Sequence, residues 1–337
     1  MDKRIFYIIL VVAAIVAVAF YAYGGAVAKH AASEYANDIF GVAGSPMSTN
    51  QMYIPRQYGI KWMRLDINFL PGTASYIRNL SAQNYSILGI LDYETMCDSS
   101  NYTGISCNWT LSEWNASVSK AVSEYPFVHY WEVWNQPQFS NYYSGFYNGS
   151  PENYYLMVRA AYNEIKSYNS TDKIICLGGD NIYTGTAKQD QYDYEWAAAF
   201  WSYNASRYCD YISLHLYTNM QQLNSYAYTG VSFYNWINES LAAYENLTGK
   251  PILITEIGIP SNDSTDPELG LNNTNQTQAE FLNQSFSLLL SKNYIAGIFW
   301  FNLKGLVKQP YDLDYGLFTN ATMAPKPAAY IFRRFAG

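Results

Sequence analysis

Short apolar segments rich in β-branched and aromatic residues recur along most of the chain, and each is followed by a stretch with helical periodicity. Thr110 and Glu113 have the spacing of a capping box at the start of one such helix, and Ser150-Pro151 marks the start of another. A closing helix is predicted over Lys326–Phe335. The predicted strands are Phe40–Val42, Lys61–Ile67, Ser86–Leu91, Val128–Trp134, Lys173–Leu177, Asp210–Leu214, Pro251–Thr255 and Ile295–Phe301.

Strands and helices that alternate in this way predict an α/β fold whose strands are all parallel. Eight strands favour a single (β/α)8 TIM barrel, and a chain of 337 residues is long enough for the ~250 that such a barrel needs. A doubly wound sheet is the alternative. It would carry a glycine-rich phosphate loop after an early strand, and the sequence shows none.

The amino-terminal segment is apolar from Ile5 to Tyr23 and follows the basic pair Lys3-Arg4. Such a run is close to the ~20 residues that cross a bilayer as a helix, and its basic flank places the amino terminus in the cytoplasm. We expect residues 1–28 to be a signal anchor, with cleavage of a signal peptide near Ala26-Val27-Ala28 as the alternative. Residues 29–38 are then a linker, and residues 39–337 form one extracellular domain that is membrane-anchored or secreted.

Composition agrees with an exported protein that does not bind nucleic acid. The chain has 20 Lys+Arg and 27 Asp+Glu, a net charge of −7, so it lacks the excess of basic residues that nucleic acid requires. Its fifteen Asn-x-Ser/Thr sequons exceed the number expected by chance and predict a glycosylated surface, although an Asn- and Ser-rich chain also produces sequons by accident. We expect a monomer.

The cysteines also indicate an oxidising compartment. Cys97 and Cys107 bracket a polar loop and predict a disulfide, whereas Cys176 and Cys209 are either paired or separately buried on neighbouring strands. With three His and four Cys in the chain, a zinc site with several ligands is not expected. We predict no metal and no other cofactor.

Polar and aromatic residues stand where the predicted strands end, which is the functional face of a (β/α)8 barrel. The sequence shows no pairing of Cys or Ser with His that would suggest a nucleophile of that type. Aromatic faces, amides and carboxylates suit neutral polyhydroxylated ligands, so an oligosaccharide or polysaccharide is the predicted partner. The strand-end residues are Arg64, Asp66, Asp92, Glu94, Asn135, Gln136, Asp180, His215, Tyr217, Glu256 and Trp300.

Two of these strand ends resemble a known group of enzymes. Trp131–Pro137 (WEVWNQP) is similar to the strand-4 motif of clan A glycoside hydrolases, which include families 5 and 39, and Ile252–Gly258 (ILITEIG) is similar to their strand-7 motif. The resemblance implies a retaining β-glycosidase with Glu256 as the nucleophile, since that mechanism uses one carboxylate as nucleophile and a second carboxyl group as acid and base. The substrate-binding residues expected from the resemblance and the strand ends are Arg64, Asn135, Asp180, His215, Tyr217 and Trp300.

Gln136 departs from the motif, because it stands where these enzymes carry the acid/base Glu. An amide can neither donate a proton usefully nor take one from water, and that assistance is typically worth ~10²–10⁴-fold. Gln136 could be an engineered change. It could instead be native in an enzyme that uses activated substrates or external acid, or it could mark a lectin-like protein that has lost catalysis. Asp180 is the candidate that could replace the acid.

Overall fold

The computed structural model describes residues 39–44, 46–97, 107–138, 145–183, 187–217, 233–261, 274–305 and 314–337. The predicted anchor and linker, residues 1–38, lie outside this described part of the chain. Among the described helices, none has both the length and the apolar character needed to cross a membrane.

Eight parallel strands pair in chain order, and the last pairs with the first to close a barrel. This arrangement confirms the predicted (β/α)8 barrel, and the alternative of an open doubly wound sheet is wrong. The strands are β1 Ile39–Ala43, β2 Trp62–Asp66, β3 Ser86–Leu91, β4 Tyr130–Val133, β5 Lys173–Tyr183, β6 Tyr211–Tyr217, β7 Ile252–Gly258 and β8 Ile295–Phe301.

Helices lie between the strands, and two of their predicted starts are confirmed. Thr110 and Glu113 form a reciprocal capping box, and the Ser150 hydroxyl accepts a hydrogen bond from the amide of Asn153 ahead of a helix that begins at Pro151. The described helices are α1 Thr73–Ala82, α2 Tyr93–Met96, α3 Leu111–Glu124, α4 Pro151–Tyr168, α5 Ala187–Ser202, α6 Phe233–Thr248, α7 Asn275–Leu290 and α8 Pro327–Ala336.

The fifth and sixth strands run further toward the functional face than the sequence predicts. β5 was expected to end at Leu177, but it continues to Tyr183 after an irregularity between Cys176 and Asp180. Three residues in this irregularity, Leu177 to Gly179, have positive φ angles. Two glycines there read as a turn in the sequence, whereas in the structure they bend a strand that keeps pairing with β6.

Alternation along the strands fills the barrel interior and places charged groups near its mouth. Trp62 contacts Tyr130 and Phe299 across the barrel, with ring centroids 4.8 and 6.5 Å apart, so these side chains fill the lower interior. Two residues further along β2, Arg64 occupies the same face, because successive side chains of a strand alternate between faces. The strand directions therefore bring the polar residues together above an apolar base.

The predicted disulfide between Cys97 and Cys107 forms. Of the two alternatives for Cys176 and Cys209, the structure shows the paired one: the two are bonded, with their Cα atoms 5.7 Å apart and a sequence separation of 33. The second bond joins β5 to the segment just before β6, so it ties together two strands that carry site residues.

Candidate active site

Glu256 stands near the end of β7 and receives hydrogen bonds on both carboxylate oxygens. Nη1 of Arg64 lies 2.5 Å from Oε1, and the hydroxyl of Tyr217 donates to Oε2. Burial and the adjacent carboxylate raise the pKa of Tyr217 well above its usual value, so this phenol stays protonated and keeps donating. The Glu256 side chain is 11% exposed, which leaves it reachable from the pocket, and the two donors fix its orientation.

Arg64 connects Glu256 to the strand-4 motif. Its Nε donates to Oε2 of Glu132 at 2.5 Å, and its Nη2 donates to Oδ1 of Asn135 at 3.0 Å. Glu132 is fully buried and also accepts a hydrogen bond from the Thr255 hydroxyl at 3.1 Å. Burial by itself lowers the pKa of Arg64. The carboxylates of Glu132 and Glu256 together raise it by more, so the pKa of Arg64 lies above its usual value.

Gln136 and Glu256, the nucleophile candidate, both lie next to the imidazole of His215. The backbone of Gln136 takes a left-handed conformation, with φ of 46°, and its backbone N–H donates to the carbonyl of Gly178 at 2.7 Å. Its side-chain Nε2 lies 3.0 Å from Nδ1 of His215, and Nε2 of His215 lies 3.6 Å from Oε1 of Glu256. His215 itself is fully buried, so it contacts both site residues from behind the pocket wall.

The ends of β2 and β3 add acidic groups to the same region. Burial raises the pKa of Asp66 to about 7, with a further contribution from the charge of Glu94. Burial and the neighbouring Asp66 also raise the pKa of Asp92. Asp66 lines the pocket and is exposed to solvent there, but the surrounding protein still desolvates its carboxyl group. Asn68 donates to Oε2 of the neighbouring Glu94 at 3.3 Å. Asp66 therefore presents a carboxyl group that stays protonated up to near-neutral pH.

These groups surround a pocket of about 890 Å³ at the carboxyl end of the barrel. A cavity of that size suits a small-molecule or sugar ligand. Tyr76, Tyr93 and Phe301 supply aromatic surface to its wall. The predicted site residues that line it are Arg64, Asn135, Gln136, Tyr217 and Glu256.

Trp300 does not line this pocket, and its burial contradicts its predicted role in substrate binding. Its side chain is fully buried and packs beside Phe281 and Phe286 of α7, with centroids 6.1 and 6.5 Å away. Its indole N–H donates to the carbonyl of Tyr315 at 2.9 Å. Since neighbouring residues of a strand face opposite sides, Phe301 points to the pocket where Trp300 points to the helices.

His215 and Asp180 are the two remaining residues that were predicted to bind substrate. His215 was expected to contact substrate, but its burial allows contact only with the side chains around it. Asp180 belongs to β5 and pairs with Leu214 of β6 through its backbone. Its side chain lies outside the described part of the structure, so its role as a replacement acid stays a prediction.

Sequence reasoning also missed contributions that the fold makes visible. Glu132 becomes the second partner of Arg64, a contact between residues 68 positions apart that no local pattern marks. Phe301 shares the inward face of Phe299, but β8 is apolar throughout, so its sequence does not mark which face points inward. Within the described residues, no three His, Cys, Asp or Glu side chains are placed to hold a metal ion.

Several solved structures share this barrel fold. A family 39 glycoside hydrolase from Bacteroides cellulosilyticus WH2 aligns with a TM-score of 0.61 and 17% identity, over 88% of this chain and 63% of that one. A glucosidase from Croceicoccus marinus aligns with a TM-score of 0.63 and 13% identity, over 89% and 67% of the two chains. The chain thus spans less than two thirds of the family 39 enzyme, and identities this low show a shared fold.

A third solved structure is matched over its full length. The GH128 (subgroup I) endo-β-1,3-glucanase from Amycolatopsis mediterranei, in complex with laminaritriose, aligns with a TM-score of 0.54 and 17% identity, over 89% of this chain and 100% of that one. No curated protein sequence matches the chain. Residues 95–319, more than half of the chain, match the glycosyl hydrolase catalytic core family. The chain therefore belongs to that family.

Proposed function

We propose that the protein is a retaining glycosidase for β-linked glycans, with Glu256 as its nucleophile. The observation that carries this proposal is the Glu256 carboxylate, which opens onto the pocket while Arg64 and Tyr217 hold its two oxygens. Two donors that fix a carboxylate on a rigid barrel preorganise it for attack. Asn135 and the aromatic wall would bind the hydroxyls and C–H faces of the sugar.

The first chemical step follows from this geometry. An oxygen of Glu256 attacks the anomeric carbon, the bond to the leaving-group oxygen breaks, and the sugar becomes an ester of Glu256. Water then attacks the same carbon, the bond to Glu256 breaks, and one water proton passes to the solvent, which releases the sugar with retained configuration and restores the carboxylate. The hydrogen bond from Tyr217 weakens as the carboxylate becomes an ester, so the free phenol hydroxyl can turn toward the ring oxygen of the sugar.

Gln136 determines which substrates react. The leaving-group oxygen must take up a proton from the medium or depart as an anion, because the Gln136 amide cannot protonate it. We therefore propose substrates with good leaving groups, or protonation from an acidic medium. Both halves of the reaction lose assistance, because the amide also cannot activate the water.

The covalent intermediate offers the sharpest test of this proposal. An activated aryl β-glycoside should add one glycosyl unit to the protein, and peptide mapping should locate it on Glu256. Azide, a nucleophile that needs no base, should speed release and give a β-glycosyl azide. The Glu256→Gln variant is the matched control and should form no adduct. Product of inverted configuration from the unaltered protein would contradict the retaining mechanism.

Leaving-group dependence separates an adapted enzyme from a disabled one. We would assay the full chain and its Gln136→Glu variant on aryl β-glycosides with good and poor leaving groups, from about pH 3 to pH 7. We expect the unaltered protein to cleave only the good leaving groups, and Gln136→Glu to gain the poor ones. If neither protein turned over any glycoside while both bound oligosaccharides, the second candidate, a lectin-like receptor on a hydrolase barrel, would replace the first. Gln136 is the observation that favours this second candidate.

The substrate and the location are further parts of the proposal. The Amycolatopsis enzyme is an endo-β-1,3-glucanase crystallised with laminaritriose, so β-1,3-linked glucose oligomers are the first natural substrates to test. The apolar amino-terminal run and the sequons support a protein that acts outside the cell, anchored or secreted. Labelling of intact cells with a membrane-impermeant reagent should reach residues 39–337, and protection of that domain would contradict this location.

A further inference from the structure

The imidazole of His215 lies between Gln136 and Glu256 and is closed off from solvent. Its Nδ1 is 3.0 Å from the amide nitrogen of Gln136, and its Nε2 is 3.6 Å from Oε1 of Glu256. The ring is fully buried, and Nε2 makes no hydrogen bond. A buried polar atom that faces a carboxylate without a bond to it needs a physical reason.

Donor and acceptor chemistry decides where the proton of this ring sits. Burial and the nearby charge of Arg64 hold the pKa of His215 well below its usual range, so the ring is neutral and carries one N–H. An amide nitrogen only donates, and therefore Nδ1 must accept the hydrogen bond from Gln136. The single ring proton then stands on Nε2, the nitrogen that faces Glu256.

The backbone of β5 packs closely against the Nε2 end of the ring. Gly179 has φ of 75°, and a Cβ atom on it would lie 2.1 Å from Nε2 of His215. The amide of Gly179 also donates to the Ser213 hydroxyl at 2.7 Å, which anchors the bulge of β5 against β6. The glycine thus leaves the ring the space it needs beside Glu256.

We propose that Gln136 is a positioning residue whose amide fixes His215 as the Nε2–H tautomer and so directs a ring N–H at the carboxylate of Glu256. The N–H dipole adds to the hydrogen bonds from Arg64 and Tyr217 and stabilises the anionic nucleophile. Gln136 then has a positioning role in the site, although it cannot act as the acid or the base. The catalytic consequence rests on the proposed role of Glu256, whereas the tautomer itself does not.

A glutamate at the same position would change the proton on the ring. Its carboxylate would accept a hydrogen bond, so Nδ1 would carry the proton and Nε2 would turn a lone pair toward Glu256 or take up a second proton. Gln136→Glu therefore alters the nucleophile's surroundings as well as adding an acid. Amide and carboxylate have nearly the same shape, which makes the pair a matched comparison.

Long-range ¹H–¹⁵N spectra of the ¹⁵N-histidine-labelled full chain test the tautomer directly. The chain has three histidines, so His30→Gln and His129→Gln identify the two other signals. We expect the Nε2–H pattern for His215 in the unaltered protein and a protonated Nδ1 in Gln136→Glu. A protonated Nδ1 in the unaltered protein, or an unprotonated Nδ1 in Gln136→Glu, would overturn the proposal.

Kinetics on an activated aryl β-glycoside tests the consequence, since such a substrate needs no acid. Gln136→Met keeps the length of the side chain and removes its donor. We expect kcat to fall about tenfold with a smaller change in KM, because the loss concerns the nucleophile rather than ground-state binding. An unchanged kcat would overturn the proposal. Failure of the proposed function looks different: the unaltered protein would then show the Nε2–H pattern but cleave nothing.

Discussion

Arg64 is the residue on which the charges of the site depend. Its guanidinium neutralises Glu132, which is fully buried, as well as Glu256. Two carboxylates and one cation share this part of the barrel, so removal of the cation leaves Glu132 without compensation. A buried charge that loses its partner is among the most costly changes in a protein interior.

We therefore expect Arg64→Gln to lower the free energy of unfolding by about 3–5 kcal/mol, measured by urea denaturation. The double variant Arg64→Gln/Glu132→Gln should recover much of that loss, because no charge then stays buried beside Thr255. A double variant no more stable than the single one would contradict this account. Activity should fall in both variants, since Glu256 loses its ion pair.

Asp66 makes the stability of the protein depend on pH. Burial and Glu94 raise the pKa of Asp66 from 3.8 to about 7, so the folded protein keeps a proton that the unfolded chain releases above about pH 4. The contribution to stability is complete below that pH and is lost as the pH rises toward 7. We expect Tm to decrease over this interval and Asp66→Asn to flatten the decrease. A small decrease of Tm with pH should persist in the variant, because the pKa of Asp92 is also raised. If Tm decreased equally with pH in the two proteins, Asp66 would take up no proton on folding.

At the residue scale, the sequence predicts which residues stand at the strand ends, but it does not predict which way each side chain points. Glu256, Arg64 and Tyr217 meet because each stands at a strand end, and strand ends of a barrel share one face. The prediction for Trp300 failed by one residue. β8 is apolar throughout, since it is covered by helices outside and filled inside, so its sequence gives no alternation that would tell Phe301 from Trp300.

At the scale of elements, the bulge in β5 links backbone shape to the site. Leu177, Gly178 and Gly179 all have positive φ, and the strand resumes pairing at Asp180. The carbonyl of Gly178 accepts the amide of Gln136, and Gly179 makes room for His215. No periodicity in the sequence announces this shape, because its partners come from β4 and β6.

Gly179→Ala should accordingly disturb the site more than an equivalent change elsewhere. Gly249 also has positive φ but offers free space around a new Cβ atom, so Gly249→Ala is the control and should cost about 1 kcal/mol of stability. Gly179→Ala should cost about 1–3 kcal/mol more from overpacking, and it should shift the His215 signals in NMR spectra. Similar unfolding free energies for the two variants would mean that the ring can move aside freely.

The disulfide between Cys176 and Cys209 acts on the same pair of strands. Its 33-residue separation predicts that Cys176→Ala/Cys209→Ala loses about 3–4 kcal/mol, because the unfolded chain gains freedom. The bond between Cys97 and Cys107 spans 10 positions, and its removal should cost about 1 kcal/mol less on the same model. Denaturant unfolding of the two double variants measures both losses, and a larger loss for the shorter loop would contradict the entropic explanation.

At the scale of the whole molecule, charge favours neutral glycans over acidic ones. The chain carries a net charge of −7, and the described pocket wall contains Glu94 and Glu256, to which Asp66 adds a charge only above about pH 7. Arg64 is the one Lys or Arg among the described residues that line the pocket, and its charge is already shared by Glu132 and Glu256. A uronic-acid sugar would bring another carboxylate into this field, whereas a neutral sugar would not.

We expect the unaltered protein, which should not cleave oligosaccharides because their leaving groups are poor, to bind neutral β-linked oligosaccharides more tightly than uronic-acid oligosaccharides of equal length. Binding at a hundred times Kd adds about 2.7 kcal/mol to stability, so a thermal shift measures the difference. Added salt screens like charges over about 10 Å at 0.1 M. Affinity for the acidic ligand should therefore rise with salt, while affinity for the neutral ligand stays constant. Tighter binding of the acidic ligand at low salt would require cationic groups that the described pocket wall does not have. That result would contradict the preference for neutral glycans and indicate uronic-acid glycans as the substrate class.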